Sequence, residues 1–310
     1  MNVSINTSTF AEHDLAPLKK LEKAKLSYSL NPFKRTLTED EVIQFSHNAV
    51  GIVAGTEPLT QKVLNRLPHL KVISRCGVGI DNVDLGFAKR SGIKVFSTPD
   101  APTDAVAELT VGVILNLLRR IIPMHENLKN KIWKKETGHL LKGKTVGIIG
   151  MGRIGRRVSA LLRPFQVKIF YYDICHVKTA NGLKAVSFKD LFKKSDIVTL
   201  HCAVANKAKA LIGANEIKLM KKGSWLINMS RGGVVDEEAL DQALRQKKIT
   251  GAALDVFLKE PYEGRLKELD NVILTPHIGS YAVEARIEME TEAVNNLIQG
   301  LKALKAKELE

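Results

Sequence analysis

Thr145-Val146-Gly147-Ile148-Ile149-Gly150-Met151-Gly152-Arg153-Ile154-Gly155, followed by Tyr171-Tyr172-Asp173, reads as a nucleotide site with each part in order. An apolar strand runs into glycines, a helix follows, and an acid closes the next strand. Gly150 permits the tight turn, Gly152 lets a pyrophosphate approach backbone N–H groups at the helix start, and Gly155 lets helix and strand pack closely. Asp173 comes about 20 residues on, where a carboxylate grips a ribose 2′-OH. The flanking strand, helix and acid separate this pattern from an ordinary strand-to-helix turn, and the expected ligand is NAD(H). A carboxylate at Asp173 repels the 2′-phosphate of NADP, and no Arg follows it in Ile174-Cys175-His176. NAD is therefore favoured, with His176 and Lys178 leaving NADP open.

The rest of the composition describes an ordinary globular chain. With 310 residues and 45% hydrophobic content it can bury two cores, which suggests two domains. Cys76, Cys175 and Cys202 show no CxxC spacing and no even count, so neither a metal site nor a disulfide framework is indicated. Met1-Asn2-Val3-Ser4-Ile5-Asn6 lacks a charged region followed by an apolar run, and no stretch approaches the roughly 18 apolar residues of a membrane span. A cytoplasmic protein without a membrane partner is expected. The net charge of +14 is carried by lysines dispersed over helices rather than gathered into an aromatic-interleaved stripe. It reads as a solvated basic surface without a nucleic-acid partner, one that draws in anionic metabolites.

From Leu26 to Thr98, β-rich runs at 49–53, 71–74 and 94–96 alternate with helical stretches at 39–45, 59–67 and 85–90. Such alternation implies a parallel sheet with helices on both faces. A helical stretch over 103–120 leads, through a basic loop containing Trp133, to the glycine-rich strand. The pattern then repeats, with strands at 196–200, 224–228, 250–255 and 272–275. The tail from Val283 to Glu310 is helical, with Ile287, Leu297, Leu301 and Leu304 as its buried positions. By then the second sheet has no empty face, so the tail is expected to return to the first domain. The predicted fold is α/β with two doubly wound parallel-sheet domains. A nucleotide domain (101–280) is inserted into a discontinuous substrate domain (1–100 and 281–310), with a cleft between them.

Ligands in open α/β sheets gather at the carboxyl ends of strands, which directs attention to His201, Arg231, Asp255 and His277. The planar fork of Arg231 suits bidentate capture of a carboxylate, or else pairs with an acid such as Asp236. His277 can pass a proton near neutral pH, or simply cap a loop. Glu260 can orient His277 and favour its protonated form.

Together, Asn228-x-x-Arg231-Gly-Gly-x-Val-Asp236, Asp255-Val-Phe-x-x-Glu260-Pro261 and Pro276-His277-Ile-Gly-Ser resemble the D-isomer-specific 2-hydroxyacid dehydrogenases. Arg75-Cys76-Gly77-Val78-Gly79-Ile80-Asp81-Asn82 is similar to that family's substrate loop, and Ala105-Val106-Ala107-Glu108 to its inter-domain helix. The resemblance implies a Rossmann NAD domain inserted into a flavodoxin-like substrate domain. It implies that Arg231 holds the substrate carboxylate and polarises the 2-carbonyl, that His277 exchanges the proton with the 2-oxygen, and that Glu260 hydrogen-bonds His277. Arg75, Gly77, Val78 and Gly79 would meet the substrate, the N–H groups of Val78 and Gly79 forming an anion nest. Arg153 and Ile154 would lie on the pyrophosphate and Asp255 near the nicotinamide amide. Val78, Val106, Met229, Ser230, Gly279 and Ser280 would line the rest of the NAD site, and Cys76 would be a small buried filler.

One segment departs from the family. Where members carry His-x-Pro followed by threonines, this chain reads His201-Cys202-Ala203-Val204-Ala205-Asn206, which leaves His201 and Ala203 as weak contacts. Within the family, the substrate loop, Trp133 and the 232–237 stretch are most similar to the 3-phosphoglycerate dehydrogenases. That implies oxidation of a phosphorylated hydroxy acid in serine synthesis, with Lys34, Arg35, Arg75 and Arg120 as cations for its phosphate. A chain stopping at Glu310 would lack the regulatory domain of larger members. The alternatives are a glyoxylate or hydroxypyruvate reductase and, in another class, an NAD-sensing corepressor. The resemblance also implies a homodimer built through the nucleotide domain.

Overall fold

The computed structural model describes residues 1–175, 177, 183–202 and 210–307. Ala203, His176 and Lys178 lie outside the described residues. The chain divides into two compact units, Met1–Pro102 with Ser280–Glu310, and Thr103–Gly279.

The first unit contains β1 (Asn2–Ile5), α1 (Ala16–Lys23), β2 (Ser27–Leu30), α2 (Glu39–Ser46), β3 (Gly51–Ala54), α3 (Gln61–Asn65), β4 (Val72–Arg75), α4 (Leu85–Arg90) and β5 (Lys94–Phe96). All its strands are parallel, in the order β2-β1-β3-β4-β5, the flavodoxin-like arrangement. Short polar side chains start three of the helices. Thr38 forms a capping box with Glu41, Thr60 accepts from Val63 N, and Asp84 accepts from Phe87 N, each satisfying an N–H the helix cannot. β1 and β2 were not anticipated from the sequence. β1 is four residues long and begins at residue 2, too short to show a period, yet pairing on both edges buries Val3 and Ile5 completely.

The second unit holds α5 (Thr103–Arg119), α6 (Ile121–Lys129), β6 (Thr145–Ile149), α7 (Arg153–Leu162), β7 (Lys168–Tyr172), β8 (Leu183–Ala185), α8 (Phe188–Lys194), β9 (Ile197–Leu200), α9 (Ala214–Leu219), β10 (Ser224–Asn228), α10 (Glu237–Arg245), β11 (Ile249–Leu254) and β12 (Val272–Leu274). Its parallel sheet runs β12-β11-β10-β9-β6-β7-β8, so the chain reverses direction between β6 and β9, the Rossmann switch point. One face is covered by Ile114 and Leu118 of α5 with Val158 and Leu162 of α7. The other is covered by Leu191 and Phe192 of α8, Ile217 of α9 and Leu240 of α10. Burial of both faces explains why β9 and β10 are apolar without alternation. Each such side chain contributes about 1.5–3 kcal/mol by leaving water.

The last helix, α11 (Val283–Lys307), packs in the first unit. Met289, Ala293, Val294, Leu297 and Leu301 form its buried face, and Leu304 packs partly against it. Ile287, expected there, is only half-buried, because the helix is anchored one position away. Arg286, nine-tenths buried, donates to Thr9 O and to Glu290 (2.7 Å), while Glu290 accepts from Ala11 N (2.8 Å). That ion pair ties the first turns of α11 to the loop after β1. Gly51 of β3 leaves the space that Leu297 enters, since a Cβ there would stand 2.8 Å from its Cδ1.

Candidate active site

The turn after β6 is shaped by contacts that only glycine tolerates. Gly150 sits at φ +91°, and a Cβ at Gly155 would collide with the carbonyl oxygen of Gly150, so α7 starts directly on the strand end. Gly152 is the N-cap of α7 and offers no side-chain oxygen, and a Cβ there would meet nothing within 4 Å. The start of the helix thus faces open space, a fit for a pyrophosphate. Asp173 ends β7 beside this turn, one oxygen accepting from Met151 N (2.7 Å) and the other from Cys175 N (2.9 Å). Arg153 is exposed and Ile154 half-buried on the first turn of α7.

His201 follows β9, and its backbone abuts Gly150. Its Nε2 pairs with Thr199 Oγ1 at 2.9 Å, its buried Nδ1 has no hydrogen-bond partner among the described residues, and burial pushes its pKa down to about 3. Burial thus favours its neutral form.

Three further strand ends converge. After β10, buried Asn228 accepts from both the N–H and the hydroxyl of Ser230 (3.1 and 2.7 Å) and donates to Arg231 O (3.1 Å), which sets the turn carrying Arg231. Arg231 Nη1 donates to Ser230 O at 2.8 Å. The Asp236 carboxylate caps α10, accepting from Glu238 N and Ala239 N. A Cβ at Gly232 would overlap the Phe257 carbonyl oxygen, so the Arg231 turn packs onto the backbone leading to Glu260. Glu260 Oε1 accepts from Phe257 N (3.0 Å), and its Oε2 lies 2.9 Å from His277 Nδ1.

His277 adopts a left-handed conformation, φ +55°, held by its neighbours. Asp255, almost fully buried after β11, accepts from Thr275 Oγ1 (2.6 Å), Ile278 N (2.7 Å) and Gly279 N (2.7 Å). Burial raises the Asp255 pKa, and those three donors oppose the rise. Asp255 is thus the anchor of the loop that presents His277. Val106 of α5 lies against Gly279. Met229 and Ser230 are both buried.

The electrostatics link the three side chains. Burial alone would raise the Glu260 pKa. The hydrogen bond and charge of His277, the Phe257 amide and the charge of Arg231 outweigh it and hold Glu260 below the usual carboxylate value. The Glu260 carboxylate is thus held by both His277 and Arg231.

In the first unit, Arg75 ends β4 and leads into Gly77, Val78 and Gly79. Gly77 N donates to Thr98 Oγ1 (2.7 Å), and Val78 projects into solvent. Cys76 is buried with its thiol pushed up to about 11 by burial, which suits inert packing. Ser280 begins the segment that joins this unit and is half-buried.

A profile of the D-isomer specific 2-hydroxyacid dehydrogenase NAD-binding domain matches residues 111–279. A glyoxylate reductase of Thermofilum pendens is 43% identical over 259 residues, covering 80% of this chain and 76% of the relative. The chain belongs to the D-isomer-specific 2-hydroxyacid dehydrogenases. A D-3-phosphoglycerate dehydrogenase of Methanocaldococcus jannaschii is 39% identical over 275 residues, of which this dehydrogenase covers about half (52%). The TT0316 protein of Thermus thermophilus has a TM-score of 0.89 at 32% identity, covering 98% of this chain and 97% of that one. The dehydrogenase uses NAD and acts on small 2-hydroxy or 2-oxo acids, with the two parallel sheets of its family.

Several residues that shape this dehydrogenase's site were missed by sequence reasoning. Thr199, Thr275 and Glu237, which accepts from Leu258 N (2.8 Å), orient the loops, and Glu57 lies buried beyond β3. Glu57 closely follows a strand, the same signal that singled out Arg231. Among the described residues, no helix is long and apolar enough to cross a membrane, and no cluster of three or more His, Cys, Asp or Glu could hold a metal ion.

Proposed function

We propose that this dehydrogenase reduces a small unphosphorylated 2-oxo acid, glyoxylate or hydroxypyruvate, with NADH and a proton to give the D-2-hydroxy acid and NAD. The observation that carries this choice is the engagement of two of the four cations that a substrate phosphate would call on. Arg35 forms a bidentate pair with Glu41 (2.8 and 2.5 Å), and Arg120 Nε pairs with Glu136 (2.6 Å). Diverting either guanidinium to a phosphate would leave its carboxylate unmatched. The 43% identity to a glyoxylate reductase supports the same choice. It departs from the phosphoglycerate reading that the substrate loop suggests.

In this reading, Arg231 binds the substrate carboxylate and withdraws charge from the 2-carbonyl. His277 donates a proton to the 2-oxygen as the alkoxide develops, and Glu260 stabilises the imidazolium and fixes its Nδ1 tautomer. The Gly77–Gly79 amides assist the carboxylate. NAD(H), when bound, carries the hydride. Gly150, Gly152, Arg153, Ile154 and Gly155 hold its pyrophosphate and Asp173 its ribose. Val78, Val106, His201, Met229, Ser230, Asp255, Gly279 and Ser280 line the remainder.

NADH-linked kinetics on glyoxylate, hydroxypyruvate and 3-phosphohydroxypyruvate test the assignment. The expected kcat/KM for hydroxypyruvate or glyoxylate exceeds that for the phosphorylated acid by at least about tenfold, roughly one charged contact. A preference for the phosphorylated acid overturns it in favour of phosphoglycerate oxidation, and negligible turnover of all three favours a binding protein of the corepressor kind.

We also infer a homodimer. Ile121, Ile122, Leu128, Ile132, Trp133 and Leu140 are all exposed on α6 and the loop that follows, Trp133 at 82%, an apolar surface suited to a second copy. Light scattering is expected to give twice the 34.3 kDa chain mass. Trp133→Glu should shift the mass toward one chain, and a monomeric wild type would refute the inference.

A further inference from the structure

Glu260 sits on a surface segment. Leu258, Lys259, Glu260 and Pro261 are all exposed, between Phe257 and Tyr262, whose ring centroids stack at 4.2 Å. Packing therefore fixes the two ends of this segment and leaves its path between them to hydrogen bonds. His277, on the other side of the pair, has a buried anchor in Asp255, which accepts from Thr275 Oγ1, Ile278 N and Gly279 N.

The Glu260 side is held by a carboxylate from a different element. Glu237 is the first residue of α10, and its Oε1 accepts from Leu258 N at 2.8 Å across 21 positions. The preceding amide, Phe257 N, donates to Glu260 Oε1 at 3.0 Å. Two consecutive N–H groups thus point at two different glutamates, one inside the segment and one outside it. Their peptide planes meet at the Phe257 α-carbon, so only its φ and ψ separate the two hydrogen bonds.

An ordinary role at a helix start does not account for this geometry. Asp236 already caps α10 by accepting from Glu238 N and Ala239 N, and its own N–H is tied to Ile212 O at 2.9 Å. Glu237 reaches away from the helix instead. Burial raises its pKa, the Leu258 amide opposes the rise, and the charges of Asp236 and Glu260 add to it. A fully solvated acid in the first turn would favour the helix without that desolvation. At the other end of residues 231–237, Gly232 packs on the Phe257 carbonyl, and a Cβ at Gly233 would stand 3.2 Å from Leu258 Cδ1. The 257–258 backbone is therefore gripped from both ends of the segment that carries Arg231.

We propose that Glu237 is a positioning residue for the dehydrogenase reaction: its carboxylate fixes the backbone at Phe257 and Leu258 so that Glu260 meets His277 in the orientation that proton transfer needs. It acts through Glu260 rather than on the substrate. This rests on the reading of Glu260 and His277 as the acid–base pair.

The test separates reach from charge. Glu237→Gln keeps an oxygen that can accept from Leu258 N and should retain at least about a third of the wild-type kcat. Glu237→Asp keeps the charge and an acid at the start of α10, which spares the helix, but its carboxylate is one methylene short. Its kcat should fall about tenfold, as should that of Glu237→Ala, through misplacement of Glu260. KM for the 2-oxo acid should change less than about twofold in all three variants, because substrate capture is assigned to Arg231. In a Glu260→Ala background, adding Glu237→Asp should lower kcat less than about twofold, since no carboxylate is left to place. Wild-type kcat in Glu237→Asp and Glu237→Ala overturns the proposal, as does an equal loss in Glu237→Gln and Glu237→Asp, or a loss of the same size with and without the Glu260 side chain. A Glu260→Ala enzyme with wild-type kcat overturns the acid–base reading itself and the proposal with it, a separate outcome.

Discussion

Arg231→Ala lowers kcat/KM for the 2-oxo acid by about 10³-fold, the effect of removing a charged, hydrogen-bonded partner worth roughly 4 kcal/mol. The position explains the size. Arg231 sits on a turn set by Asn228 and packed on the Phe257 backbone, which fixes the point from which its guanidinium reaches. Its charge also acts on Glu260, so the loss extends to the acid–base pair. NADH affinity, measured by its fluorescence, should change less than about twofold, because charge withdrawal from the carbonyl is a substrate-side effect. Arg231→Lys should recover only a minor part, since a point charge cannot reproduce the two-pronged grip on a carboxylate. Unchanged kcat/KM in Arg231→Ala would remove the residue from the mechanism.

His277→Asn should slow turnover by about 10²–10⁴-fold, the range for loss of a general acid. Glu260→Gln is the diagnostic partner. The folded Glu260 carboxyl lies below its ordinary value, so the pair's stabilisation is complete above the unfolded carboxylate range and is lost as pH falls through the lower folded value. At neutral pH Glu260 is therefore charged, and removing that charge in Glu260→Gln should lower kcat at pH 7. Both side chains are more than a third exposed, which keeps their contribution to folding stability small while leaving the proton exposed to substrate. Wild-type kcat in either variant would exclude the pair from acid–base work.

Much of the second unit was legible because its signals are local. The glycine turn, the strand endings before Arg231 and His277, and the apolar runs of β9 and β10 each depend on a few adjacent residues. β1, β2, β8 and α6 escaped notice for opposite reasons. β1 and β8 are only four and three residues long, β2 is a largely exposed edge strand, and α6 has no buried residue at all. The buried face of α11 was misjudged at Ile287 because its placement depends on the Arg286–Glu290 pair reaching the loop after β1, a contact across 277 or more positions.

The phosphate candidates show the same limit. Lys34, Arg35, Arg75 and Arg120 are equivalent as letters, yet Glu41 and Glu136 engage two of them and Gly77 gives Arg75 its place. Asp255 could be singled out from its position after a strand, but its work in holding Thr275, Ile278 and Gly279 depends on a loop 20 residues away.

The sequence by itself determined the class of fold, the nicotinamide cofactor and the residue types available for chemistry, because strand period, glycine spacing and strand-end polarity are written within short windows. Only the tertiary structure decided that Glu260 meets His277 at 2.9 Å, that the charge of Arg231 acts on Glu260, and that Glu57 is buried beyond β3. Those facts follow from parallel pairing, which sets the carboxyl ends of sequence-distant strands side by side and thereby fixes which charges share a low-dielectric neighbourhood.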